Sequence, residues 1–97
     1  DAIDILNKYC VDIALIGCKG ISMQQGITES NEAESVVKNK MVEQARIIIL
    51  LADHSKFGNN GFAKTLDFSQ IDYIVTDKSP SDKWIAFLKK KNIKLIY

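Results

Sequence analysis

At 97 residues the chain has room for one domain with a single modest core. Hydrophobic residues make up 46% and charged residues 26%, which is the balance of an ordinary globular protein rather than a disordered or fibrous one. The net charge of +1 supplies no basic footprint for nucleic acid, and no apolar run reaches the ~18–20 residues of a membrane-spanning helix.

Ala2 to Tyr9 carry Ile3, Ile5, Leu6 and Tyr9, the spacing of a weak amphipathic helix. The chain opens on Asp1, inside that helix, with neither an initiator Met nor a signal-peptide pattern, so we expect a piece of a longer protein. Cys10 and Cys18 have no metal-ligand spacing and the chain holds a single His, too few soft ligands for zinc. Two reduced, part-buried thiols in a cytoplasmic protein are expected instead. Val11 to Ile16 predicts a buried strand. The segment Gly17-Cys-Lys-Gly20-Ile-Ser22 follows as the loop at its carboxyl end. Two glycines three apart permit positive φ or close approach of a ligand, or simply form a tight turn.

Met23 to Ser30 is polar, contains Gly26, and reads as a loop. Asn31 has the character of a helix N-cap, with Glu34 three residues on. Ala33, Val36, Val37, Met41 and Ala45 form one apolar stripe, with Val42 opposite. Glu34 and Lys38 are spaced for an i,i+4 ion pair worth ~0.3 kcal/mol on an exposed face. Arg46 to Ala52 then runs apolar without alternation, as in a strand covered on both faces of a parallel sheet, and breaks into Asp53-His54-Ser55-Lys56. Ligands in such sheets collect outside the carboxyl ends of the strands, where Asp53 and Lys56 would stand.

Phe57 to Phe62 is a turn-rich loop flanked by two aromatics, and Ile71 to Thr76 is a third strand ending at Asp77. Pro80 and Ser81 start another helix, with Ser81 as N-cap and Trp84, Ile85 and Leu88 as its buried stripe. Lys89-Lys90-Lys91 places cations at the helix C-terminus, and Asn92 suits the left-handed cap position. Ile93 to Tyr97 forms a last strand. Alternation at this spacing implies right-handed crossovers and a mostly parallel sheet in a three-layer α/β sandwich, a single domain over residues 1–97.

Catalysis lacks parts. His54 is the one base candidate for Cys18, with no evident third group to orient it. Asp53, Asp77 and Glu32 offer paired carboxylates, but nothing in sequence fixes their separation. The favoured constellation is recognition. Lys56 supplies a point charge for a phosphate, and Asp53 accepts from sugar hydroxyls or holds Lys56. Amides around Gly17 to Gly20 and the helix start at Asn31 add anion-binding donors. The competing reading has Asp53 and Lys56 pair with each other and cap the loop.

Asp12-Ile-Ala-Leu-Ile-Gly17-x-x-Gly20-Ile21, Gly26-Ile-Thr28, Asn31-Glu32-x-Glu34 with Lys38 and Met41, Leu51-Ala-Asp53-His-Ser-Lys56-Phe57 and Ile71-Asp72-x-x-Val75-Thr76-Asp77 occur in this order across nearly the whole chain. Together they resemble the C-terminal sensor domain of DeoR-type bacterial transcription repressors. The resemblance implies a fold similar to ribose-phosphate isomerases, glucosamine-phosphate deaminases and CoA transferases. It also implies a phosphorylated-sugar effector, a homo-oligomer, and operator DNA bound through an N-terminal helix-turn-helix that this chain does not contain. By resemblance, Asp53, Lys56, Gly17, Gly20 and Glu32 are the effector-binding candidates, with no cofactor, metal or catalytic residue. The family's sensor domain is longer, and its first half, with a Gly-Thr-Thr-type phosphate loop, is missing here. The alternative is a fragment of a sugar-phosphate isomerase or deaminase. Against it, Lys19-Gly20-Ile21 stands where the deaminases carry Asp-Gly-His, so the acid/base pair is lost while the turn is kept.

Overall fold

The structure, a computed structural model, describes residues 10–97. The helix expected over Ala2 to Tyr9 lies outside the described residues. Four parallel strands form the main sheet: β1 (Val11–Ile16), β4 (Ala45–Leu51), β6 (Tyr73–Val75) and β7 (Lys94–Ile96), in the order β1-β4-β6-β7. A second, antiparallel sheet of β2 (Gly20–Ser22), β3 (Gly26–Glu29) and β5 (Ala63–Leu66) has the order β2-β3-β5. Two helices, α1 (Glu32–Glu43) and α2 (Asp82–Lys90), complete an α/β sandwich built on a mostly parallel sheet.

The antiparallel sheet corrects the loop readings of residues 17–22 and 23–30. Its strands are only three or four residues long. Gly20, Gly26 and polar residues interrupt any alternation, so the local signal was that of turns. Gly26 has φ 85° in the turn from β2 to β3, a backbone position that glycine takes without a Cβ penalty. Strand β5 carries no run of β-branched apolar residues, so its sequence shows no strand pattern.

Both helix starts follow from their caps. The Asn31 side chain accepts the Glu34 N–H at 2.9 Å, and the Ser81 hydroxyl accepts the Trp84 N–H at 3.3 Å. Helix α2 ends as expected, with Asn92 at φ 61° in the left-handed cap. Helix α1 departs from its predicted stripe. Its buried residues are Ser35 and Val42, whereas Ala33 and Val36 are exposed and Ala45 already belongs to β4. The helix packs over β5 and β3, and Ser35 donates to the Lys64 carbonyl at 3.4 Å. A small polar residue allows that close approach, which an apolar-stripe count does not anticipate. The Glu34–Lys38 pair is also replaced, because Lys38 turns instead to Glu29.

The core lies on one face of the main sheet. Ala14, Ile16, Ile48, Leu50 and Ile74 point into it and meet Ile21, Ile27, Leu66, Phe68 and Leu88. The strand order explains the one-sidedness. From β1 to β7 each crossover steps the same way along the sheet, so right-handed connections place every covering element on one face. Among the described residues, no element covers the opposite, apolar face. Leu15, Ile49 and Tyr73 stand side by side in register, as do Leu51, Val75 and Ile96. Ile13 is 52% exposed and Leu15 58%. The strand Ala45–Leu51 is therefore covered on one face only among the described residues, where its unbroken apolar run predicted two.

Candidate functional site

Parallel strands end together, so the chain segments that leave them form one rim. Gly17 and Cys18 follow β1, Asp53 to Lys56 follow β4, and Asp77 follows β6. Phe57 fixes the position of the middle segment. It makes an isolated bridge to Ile21, and its ring meets Trp84 of α2 edge-on with centroids 5.3 Å apart.

Asp53 caps the single turn His54–Lys56: its carboxylate accepts the Ser55 N–H at 2.8 Å and the Ser55 hydroxyl. The Ser55 hydroxyl is the main cause, and its N–H the second, of an Asp53 carboxyl held below the usual range. Asp53 is thus engaged by the turn itself. Lys56, half-buried, forms no ion pair within 4 Å among the described residues. The expected alternative, a mutual Asp53–Lys56 pair that closes the loop, is half met. The cap forms and the ion pair does not.

Asp77 does for His54 what the sequence did not disclose. Its carboxylate accepts the His54 backbone N–H at 2.7 Å and meets Nδ1 at 3.0 Å, so a third group does orient the ring. Hydrogen bonding from the His54 side chain, then from its backbone, pulls the Asp77 carboxyl down to about 2. The pair ties the ends of β4 and β6 together. Cys18 is not an activated nucleophile, because burial and then the Glu29 carboxylate raise its thiol to about 11. Cys10 is exposed rather than part-buried, and both cysteines are free. Among the described residues no group of three metal-ligating side chains occurs, and no helix is long and apolar enough to cross a membrane.

The remaining candidates separate. Gly17 lies on the rim in open space, with the nearest atom to an added Cβ, the Leu51 carbonyl oxygen, 3.9 Å away. Gly20 is buried beneath the Asn59 carbonyl, which would stand 2.2 Å from a Cβ. Neither glycine has positive φ. The loop over Gly20 is held by Thr28, fully buried, whose hydroxyl donates to the Gly20 carbonyl at 3.1 Å and accepts the Gly61 N–H at 2.7 Å. Gly20 is therefore explained by packing. Glu32 lies at the start of α1 beside Ser35, Asn39 and Lys64 and forms no hydrogen bond or ion pair with the rim among the described residues. With Glu32 and Glu34 in its first turn, that helix start does not favour an anion.

Sequence reasoning missed one element of the rim. Glu29, at the end of β3 with a side chain only 5% exposed, pairs with Lys38 of α1 at 2.5 Å. The same ammonium donates to the Gly17 carbonyl at 2.9 Å. The signal was obscured because residues 23–30 read as loop and Lys38 had a nearer apparent partner in Glu34.

Comparison with known proteins adds the family. The profile of the DeoR C terminal sensor domain matches residues 1–78. The chain is 40% identical over 94 residues to the HTH-type transcriptional repressor GlcR of Bacillus subtilis (strain 168), covering 97% of this chain and 36% of that protein. It is 35% identical over 92 residues to the deoxyribose operon repressor of Escherichia coli (strain K12), covering 95% and 36%. The glycerol-3-phosphate regulon repressor of the same strain is 28% identical over 93 residues, covering 96% and 37%. The chain thus spans about a third of the length of the relatives it matches. The order of motifs, the parallel sheet with its strand-end rim and the profile match agree: this chain belongs to the DeoR C-terminal sensor domain family.

Proposed function

We propose that the chain is the effector-sensing part of a cytoplasmic DNA-binding transcription repressor, and that its effector is a phosphorylated sugar bound at the strand-end rim. One observation carries the assignment to that rim. Lys56 is held there on a capped turn while both neighbouring carboxylates are committed elsewhere, Asp53 to Ser55 and Asp77 to His54. A half-buried ammonium without an ion pair within 4 Å among the described residues suits a phosphate. Gly17 leaves the backbone beside it open, and the free lone pairs of Asp53 can accept from sugar hydroxyls. The names of two relatives point the same way, a deoxyribose operon repressor and a glycerol-3-phosphate regulon repressor.

Operator DNA is bound by a helix-turn-helix outside these residues, and the first half of the sensor domain also lies outside them. The open sheet face supports the latter: it offers Ile13, Leu15, Ile47 and Leu51 to a further layer. β1 ends the strand order, so its outer edge is free to pair among the described residues. A strand added there with a right-handed crossover on the open face reverses the winding at β1. That makes the Gly17 rim a topological switch point, where ligands of such sheets bind. The effector acts on a homo-oligomer by binding its DNA-incompetent arrangement more tightly.

The test is Lys56→Ala in the intact repressor, read as release from operator DNA by a panel of sugar phosphates. A loss of response of about ten-fold or more is expected, the scale of one charge-assisted hydrogen bond. Unchanged release by every sugar phosphate that acts on the wild type removes Lys56 from the site.

A further inference from the structure

Glu29 is a carboxylate buried at the end of a short strand, and its partner among the described residues is Lys38. Such pairs are weak sources of stability, because desolvation of the two charges offsets most of their attraction. An apolar pair of similar volume would hold α1 to β3 as well. Lys38 is placed in an unusual way for a structural lysine. Its side chain keeps 23% of its exposure, and its ammonium reaches the Gly17 carbonyl, on the rim where β1 ends. An ammonium has three N–H donors. Glu29 takes one and Gly17 a second, which leaves the third uncommitted among the described residues.

We propose that Lys38 is a second phosphate-contacting cation of the strand-end site, held in position by Glu29 and the Gly17 carbonyl, with its third donor directed to an oxygen of the phosphorylated ligand. The inference rests on the rim being the effector site and adds a residue from a different element, α1. Ligand binding thereby engages α1, β3 and the end of β1 together. Lys56 supplies charge from the segment that follows β4, and Lys38 supplies it beside the Gly17 carbonyl that follows β1.

Binding of inorganic phosphate and of ribose 5-phosphate to the intact protein, measured by titration calorimetry, tests this. Lys38→Met alone would strand the buried Glu29 charge and destabilise the domain, so the decisive variant is the neutral pair Glu29→Gln with Lys38→Met. The double variant is expected to fold and to lose about ten-fold in affinity for both ligands. Glu29→Gln alone, whose amide oxygen can still accept from the ammonium and hold it in place, is expected to bind about as tightly as wild type, and Lys38→Arg to retain most of the binding. If the double variant binds like wild type while Lys56→Ala is impaired, the role of Lys38 is refuted and the rim assignment stands. If Lys56→Ala also binds like wild type, or the wild type binds neither ligand, the rim assignment falls and the role of Lys38 with it. If Glu29→Gln alone loses as much as the double variant, Glu29 rather than Lys38 carries the effect and the proposal is overturned.

Discussion

At the residue scale, the two glycines after β1 show how one motif serves two purposes. Gly20 lies under the Asn59 carbonyl, so Gly20→Ala must displace backbone and should cost about 1–3 kcal/mol in denaturant unfolding. Gly17 has open space, so Gly17→Ala should stay within ~0.5 kcal/mol and reveal itself, if at all, in ligand affinity. The acids and thiols make equally local predictions. Asp77 has its folded pKa lowered from 3.8 to about 2 by His54, so its contribution to stability is present above pH 3.8 and is lost as pH falls through 2. Asp77→Asn should flatten the pH dependence of unfolding in that window, and an unchanged slope would deny the clamp any role. In the native protein near pH 8, Cys10 should be alkylated first and Cys18 only on unfolding, because Cys10 is exposed while the Cys18 thiol is raised to about 11 by burial. Mass spectrometry of partly labelled protein separates the two.

At the scale of elements, the caps and the face of α2 around Trp84 and Leu88 were legible in sequence, and the face of α1 was not. Asn31 and Ser81 use short polar side chains to satisfy local N–H groups, a job decided within four residues. Asn31→Ala should therefore cost about 1 kcal/mol. The face that α1 buries depends on what lies beneath it. Beneath it are β3 and β5, two short strands whose own signals were too weak to read. Val42→Ala is expected to destabilise by about 1.5 kcal/mol, two methylene equivalents of buried surface, while Val36→Ala stays within ~0.5 kcal/mol. Thermal or urea unfolding of the pair distinguishes the observed face from the one the apolar stripe suggested. The same logic covers the charges. Glu34 was the nearer partner for Lys38 along the helix, yet Glu29 wins because its buried carboxylate needs a cation, whereas the exposed Glu34 does not.

At the scale of the whole molecule, the one-sided core is the dominant fact. A sheet with Ile13, Leu15, Ile47 and Leu51 uncovered on one face among the described residues presents a surface that calls for a partner layer. Ile13→Lys with Leu15→Lys should reduce self-association of the 97-residue chain in sedimentation experiments. In the intact repressor the same pair of substitutions should destabilise, since the proposed further layer would bury the new charges. A neutral effect there would show that this face stays exposed in the complete protein.

The sequence by itself determined the α/β class, the four parallel strands, both helix starts, the family and the place of Asp53 and Lys56 beyond a strand end. These follow from periodicity, caps and motif order, which act within a few residues or survive in linear order. Tertiary structure alone decided the antiparallel sheet, the buried face of α1, the engagement of Asp53 and Asp77 that leaves Lys56 unpaired among the described residues, and the arrival of Lys38 at Gly17. Each of these joins residues distant in the chain, such as Lys38 with Gly17 or His54 with Asp77. Pairings of that kind are set by competition for burial and hydrogen bonds in three dimensions, and no local pattern records who wins.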